Sequence, residues 1–210
     1  MNAHLFKLAS GLLADKAQAS YEKLFGSIKA RLTTLGFPNW APANVICDFE
    51  LAIQQAATSV FPGVNILGCY FHFCQSIWRR VQECGLATAY RNVPKVKKTI
   101  RRIMALGYLP LSFVGHCFRT IITNTPNMVS QYPAMRRLFA YVRATWVQRG
   151  CRFSSITWNV HKREMDRRSN NAVESYNNRW NRLIGNRHPS LWTFIRILKD
   201  EQRVHERRAQ

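Results

Sequence analysis

Apolar and polar positions change rhythm several times along the chain. Residues 5–13, LFKLASGLL, are apolar enough for a buried strand. Over 17–35, Tyr21, Leu24, Phe25, Ile28 and Leu32 recur every three or four residues and predict a helix, which Gly36, Pro38 and Pro42 end. Val45-Ile46-Cys47 is a short apolar run that stops at Asp48 and suits a central parallel strand covered on both faces. A helix over 50–60 closes at Phe61-Pro62-Gly63, and a strand over 64–69 follows. Strand and helix therefore alternate through residue 72, which predicts an α/β sheet.

The period is helical from there to residue 150. Phe73, Ile77, Val81 and Cys84 share one face of a helix that ends at Gly85. Pro94 opens another, with Val96, Ile100, Ile103 and Met104 on its apolar side. Pro110 and Pro133 mark two more helix starts, because proline is tolerated in the first turn. The stretch from Arg152 to Arg168 is basic and less periodic. Asn170-Asn171 can cap a helix over 172–184 that stops at Gly185. Ser190 can cap a last helix, with Leu191, Phe194, Ile195 and Leu198 as its buried stripe. Three regions result: an α/β part over 1–72, a basic helical block over 73–168, and carboxyl-terminal helices over 169–210.

Charge changes the picture. The 210 residues hold 31 lysines and arginines against 11 acids, a formal net charge of +20 and a pI near 10.5. That excess points to a polyanion, nucleic acid before a membrane surface, since no concentrated basic amphipathic helix or lipid signal stands out. No apolar stretch is long enough to cross a membrane, and the amino terminus lacks the basic segment and cleavage site of a signal peptide. The six cysteines mostly sit in apolar runs, so reduced, buried thiols of an intracellular protein are expected.

Four features can carry chemistry. Asp48 directly follows a strand, at the carboxyl edge where parallel sheets place functional groups; it can hold Mg²⁺ or cap the next helix. Glu174 opens a helix, either as a functional carboxylate or as a simple charge against the helix dipole. Cys69 and His72 form a Cys-x-x-His pair with Cys74 nearby. The spacing matches no standard zinc finger, so zinc is not expected and a buried thiol with a hydrogen-bonded histidine fits better. Basic residues interleave with aromatic ones at Trp78-Arg79-Arg80, at Lys95, Lys98 and Arg102 on one helix face, at Trp158 to Arg168, and at Arg179-Trp180-Asn181-Arg182. These can contact phosphates while an indole stacks on a base, or they can be solvated helix faces. No Walker loop, G-x-S-x-G or GxGxxG occurs, so nucleotide hydrolysis and esterase chemistry find no support.

LLADKAQASYEKLF, then NVICDFELAIQQAATSVFPGVNILGCYFHFCQSIWRRVQECGL, and later NNAVESYNNRWNRLIG resemble the transposase domain of Mutator-like elements (MULE) in wording and in order. The resemblance implies an RNase H-like α/β fold with a large all-α insertion. It also implies a DDE carboxylate triad holding Mg²⁺ or Mn²⁺, and action on transposon-end DNA in the nucleus. Asp48 and Glu174 fall on the second and third carboxylate positions, and Cys69 with His72 on a family motif near the active site. The family's first Asp belongs to an opening strand upstream of the LLADK-like stretch, and Asp15 is not accepted in its place. The expectation is thus a truncated domain with a partial sheet lacking its opening strands, inactive in cleavage and prone to self-association through open edges. The alternative function is a non-catalytic domesticated derivative that binds DNA or protein; a zinc-stabilised interaction module is a third.

Overall fold

The computed structural model describes residues 11, 13–164, 168, 182, 185 and 190–209. The chain divides into two compact units, one over Leu13–Ser169 and one combining Met1–Leu12 with Asn170–Gln210.

In the first unit α1 (Gln18–Thr34) precedes β1 (Asn44–Cys47), α2 (Leu51–Val60) and β2 (Asn65–Gly68). β1 and β2 pair in parallel, with Asn44 opposite Asn65 and Cys47 opposite Gly68. The ladder runs one bond further, Cys69 N–H donating to the Cys47 carbonyl at 3.0 Å. They are the two strands among the described residues. β1 is less enclosed than its apolar sequence predicts: Val45 and Ile46 are half-buried and only Cys47 is buried, because its single described strand neighbour is β2. The predicted strand over 5–13 falls outside the described residues apart from Gly11 and Leu13. α1 packs along α2, with Phe25 and Trp40 meeting the buried Phe61 ring at 5.9 and 6.1 Å.

The helical block follows as α3 (Tyr70–Glu83), α4 (Ala87–Asn92), α5 (Pro94–Ala105), α6 (Leu111–Thr123), α7 (Pro126–Gln131), α8 (Ala134–Val142) and α9 (Ser155–Trp158). α3 stops where Gly85, at φ +74°, takes the left-handed conformation that a side chain disfavours. Leu86 N–H then bonds the Val81 carbonyl, and Gly85 N–H the Gln82 carbonyl, each at 2.9 Å, satisfying two end-of-helix acceptors. Pro94 begins α5, Pro110 and Pro133 immediately precede α6 and α8, and α5 buries Val96, Ile100 and Ile103. Met104, expected in that stripe, is only half-buried; Thr99 is buried on that side.

α4 and α7, six residues each, are too short to show a period. After α8 one wider, π-type turn over Arg143–Val147 places Trp146 in the core. A 3₁₀ turn, Leu106–Tyr108, joins α5 to α6.

The core is aromatic at its centre. Phe73 and Trp158 stack at 4.5 Å, and Trp146 meets Phe73 edge-on at 5.0 Å and Phe153 at 5.1 Å. Phe49, from the loop after β1, meets Trp146 edge-on at 4.7 Å. Trp158 is fully buried, so it is a core residue and not the base-stacking surface its basic surroundings suggested. The Trp158 indole N–H donates to the Trp146 carbonyl at 3.1 Å, while the Trp146 indole N–H is buried without a partner.

In the other unit, α10 (Leu191–Ala209) starts at Ser190, whose hydroxyl accepts the Thr193 N–H at 3.2 Å. Its expected buried stripe is not realised. Leu191 is 56% exposed, and Phe194, Ile195 and Leu198 are half-buried, since the stripe's first position lies in the exposed first turn. The helix expected over 172–184 and its Asn170-Asn171 cap lie outside the described residues except for Arg182, which is helical.

Two packing predictions follow. Trp158→Phe should lower stability by about 1 kcal/mol more than Trp146→Phe, because only the first removes a made hydrogen bond; urea unfolding measures the difference. A Cβ at Gly68 would lie 2.3 Å from the Phe49 ring, which Trp146 and Phe153 hold in place. Gly68→Ala should therefore destabilise by about 1–3 kcal/mol, and thermal melting should show it.

Candidate functional site

The site lies at the carboxyl edge of the strand pair, where β1 and β2 each turn into a helix. Asp48 follows β1 directly, and its side chain is 53% exposed. Phe49 then turns inward to the aromatic core, and Glu50 points to the other side. The alternation follows from extended backbone, in which successive side chains take opposite faces. Asp48 is not the helix cap it could have been. Glu50 is the residue before α2, and no side chain caps that end. The Asp48 carbonyl is held by the Gln54 amide at 3.1 Å, which leaves the carboxylate free of local backbone duty.

The carboxylate meets His72. Asp48 Oδ1 lies 2.9 Å from His72 Nδ1. That nitrogen is shut off from solvent, so the contact with the carboxylate is made on the protein side of the ring. His72 occupies the first turn of α3, just after Cys69, the residue preceding the helix. Two helix amino termini thus open on the same edge as Asp48, neither closed by a capping side chain. At α3 the Tyr70 N–H donates to the Arg168 carbonyl at 3.0 Å, and the dipoles of both helices favour a nearby anion.

The chain brings Asp48 and His72 together across β1 and β2, but it separates Cys69 from that pair in character. Cys69 is fully buried, while His72 turns to Asp48. The Cys47 thiol is pushed up to about 12, first by burial and then by the Asp48 charge, and burial also raises Cys74. Thiols so raised stay protonated at neutral pH, whereas zinc binds thiolate. No two of the six cysteines are joined in a disulfide.

Glu50 was not singled out by sequence, yet it anchors α1 to the loop. It accepts from the Tyr21 hydroxyl at 3.0 Å and lies 3.5 Å from Lys16 Nζ. Arg163 was also missed among the basic run. Its guanidinium donates to the Gly68 carbonyl at 2.7 Å and to the Thr157 carbonyl, tying the segment after α9 to the end of β2. Burial lowers its pKa from the usual arginine value. A carbonyl-seeking arginine has no sequence mark that distinguishes it from a phosphate-seeking one. Asp15 accepts from Ser20 Oγ at 2.6 Å and from Ala17 N–H at 2.9 Å, so it organises the start of α1.

Of the basic candidates, Arg79, Lys95, Lys98, Arg102 and Arg182 are exposed. Arg80 is engaged instead, 2.9 Å from Glu83 and over the Tyr141 ring at 5.3 Å. Glu174 and Arg179 lie outside the described residues. Among the described residues, no three histidine, cysteine or acidic side chains are grouped to hold a metal ion. Asp48 is the carboxylate that the described residues bring to this edge, Glu50 being held by Tyr21 and Lys16, and one carboxylate is a partial donor set for Mg²⁺.

A solvent-open carboxylate at the end of a parallel strand, steadied by an imidazole, is the layout of an α/β protein that works at its sheet edge. Residues 1–76 match the family model of the MULE transposase domain, and Asp48, Cys69 and His72 lie inside the matched segment. Glu174 lies beyond the matched residues. No curated protein and no solved structure matches the chain. Among the described residues no helix is long and apolar enough to cross a membrane.

The raised Cys47 thiol generates a pH prediction. The folded chain keeps this proton while the unfolded thiol loses it, so stability is intact below about pH 9 and falls as pH rises toward about 12. The melting temperature of the wild type should therefore drop more steeply above pH 9 than that of Cys47→Ala. Parallel slopes would contradict the assignment.

Proposed function

We propose that the chain is part of a MULE-type DNA transposase with an RNase H-like core, in which Asp48 and Glu174 are two carboxylates of the cleavage site. The observation that carries this reading is the Asp48–His72 contact at 2.9 Å, on the strand edge inside the matched MULE segment. Asp48 and Glu174 would hold Mg²⁺ or Mn²⁺, which would supply Lewis-acid activation for phosphodiester cleavage. What the chain's own residues do is simpler. His72 fixes the direction of the Asp48 carboxylate, and the dipoles of α2 and α3 favour an anionic phosphate at that edge. The net charge of +20 draws DNA to the surface. Such a role places the protein in the nucleus and at transposon ends.

A second reading has its own support. Asp48 is the one described carboxylate facing this edge, because Glu50 is turned to Tyr21 and Lys16. With one described carboxylate at this edge, the basic chain can serve as a DNA binder that does not cut.

The test has two arms. Duplex DNA should be retained in filter binding, with affinity falling steeply between ~50 and ~200 mM salt; a flat series would remove the nucleic-acid reading. With Mg²⁺ or Mn²⁺ the chain should nick duplex DNA under the cleavage reading, and Asp48→Ala or Glu174→Ala should abolish that activity; DNA binding without nicking would favour the second reading. Nicking that survives both changes would take these residues out of the site.

A further inference from the structure

No aspartate or glutamate stands between Glu83 and Glu164, while fourteen lysines and arginines do. This acid-free stretch spans α4 to α9, most of the helical block. Its densest part is α5, where Lys95, Lys98 and Arg102 form one row and Lys97 and Arg101 the next, all five exposed. Residues three or four apart on a helix are surface neighbours, so the two rows make one continuous outer face. None of the five enters an ion pair among the described residues.

We infer that the outer face of α5 is the surface along which this chain tracks the phosphate backbone of duplex DNA. The inference rests on the DNA-handling function proposed above and locates it. Concentrating like charge on one helix weakens the folded state by self-repulsion, and a polyanion with regularly spaced charges removes that cost.

The alternatives fit less well. Membrane-surface helices insert an apolar face, but Val96, Ile100 and Ile103 of α5 are fully buried in the core. Single-strand binders stack bases on open aromatic rings. Here α5 carries no aromatic residue, and the nearby Trp78 and Tyr90 pack against each other at 4.9 Å, with Lys97 6.0 Å from the Tyr90 ring. Cations on a face with no open ring for a base to stack on read charge and spacing, which a duplex backbone offers.

The test measures binding of a 20-base-pair duplex by fluorescence anisotropy across ~50–200 mM salt. The variant K95Q/K97Q/K98Q/R101Q/R102Q is compared with a charge-matched control, K23Q/R31Q/R119Q/R136Q/R149Q, whose positions are exposed elsewhere. Circular dichroism checks folding, and K95Q/K98Q/R102Q replaces the first variant if it is unfolded. The expected result is a slope of log affinity against log salt reduced by about 4 in the five-residue α5 variant, by about 3 in the three-residue one, and by clearly less in the control.

Equal losses in variant and control would overturn the α5 assignment and leave DNA binding standing. No duplex binding by the wild type would overturn both. A loss confined to the matched single strand, or to phosphatidylserine vesicles, would also overturn the duplex assignment.

Discussion

One aromatic contact sets the geometry of the candidate site. Phe49 follows Asp48 immediately and drives its ring between Gly68 and the tryptophan-rich core. Gly68 ends β2, and His72 stands just beyond it, so the wedge fixes the ends of both strands at once. The partners of Phe49, Trp146 and Phe153, come from the far end of the helical block. The carboxylate at the sheet edge is thus placed by residues a hundred positions away in sequence. The helical block is a structural support of the site as well as a basic surface. Arg163 reinforces the link by holding the Gly68 carbonyl from the segment after α9.

Much of this was legible in the sequence, and the reasons are local. Apolar runs at Val45-Ile46-Cys47 and around Ile66 announce strands; spacing along Phe73, Ile77 and Val81 announces a helix; Gly85 stops it. Asp48 stands out because a charge ends an apolar run. What stayed hidden depends on tertiary contact. Trp158 sits amid basic residues, yet its indole belongs to the core. Arg80 and Arg163 look like phosphate ligands, but Glu83, Tyr141 and backbone carbonyls hold them. The pairing of His72 with Asp48 crosses two strands and a helix, and no spacing rule reports it. The Cys-x-x-His motif suggested two residues acting together, whereas the fold buries one and turns the other to a carboxylate.

The two halves of the functional account meet in electrostatics. Acids are sparse, and those described mostly have local duties: Asp15 at the start of α1, Glu50 between α1 and β1, Glu83 beside Arg80. Asp48 differs in facing a histidine at the solvent-open edge of the strands. A lone carboxylate in a strongly basic protein is well placed to sit among phosphates, because surrounding cations offset the repulsion between it and the nucleic-acid backbone. That carboxylate lies within residues 1–76, the segment that matches the MULE transposase domain model.

The most direct test of this account is the ring ¹⁵N spectrum of His72 in the wild type and in Asp48→Asn. With Asp48 Oδ1 2.9 Å from Nδ1, removing the charge should shift the Nδ1 resonance of His72 and leave that of His161, whose Nδ1 contacts the Tyr108 carbonyl at 2.9 Å, where it was. A His72 spectrum indifferent to Asp48 would contradict the contact on which the site is built.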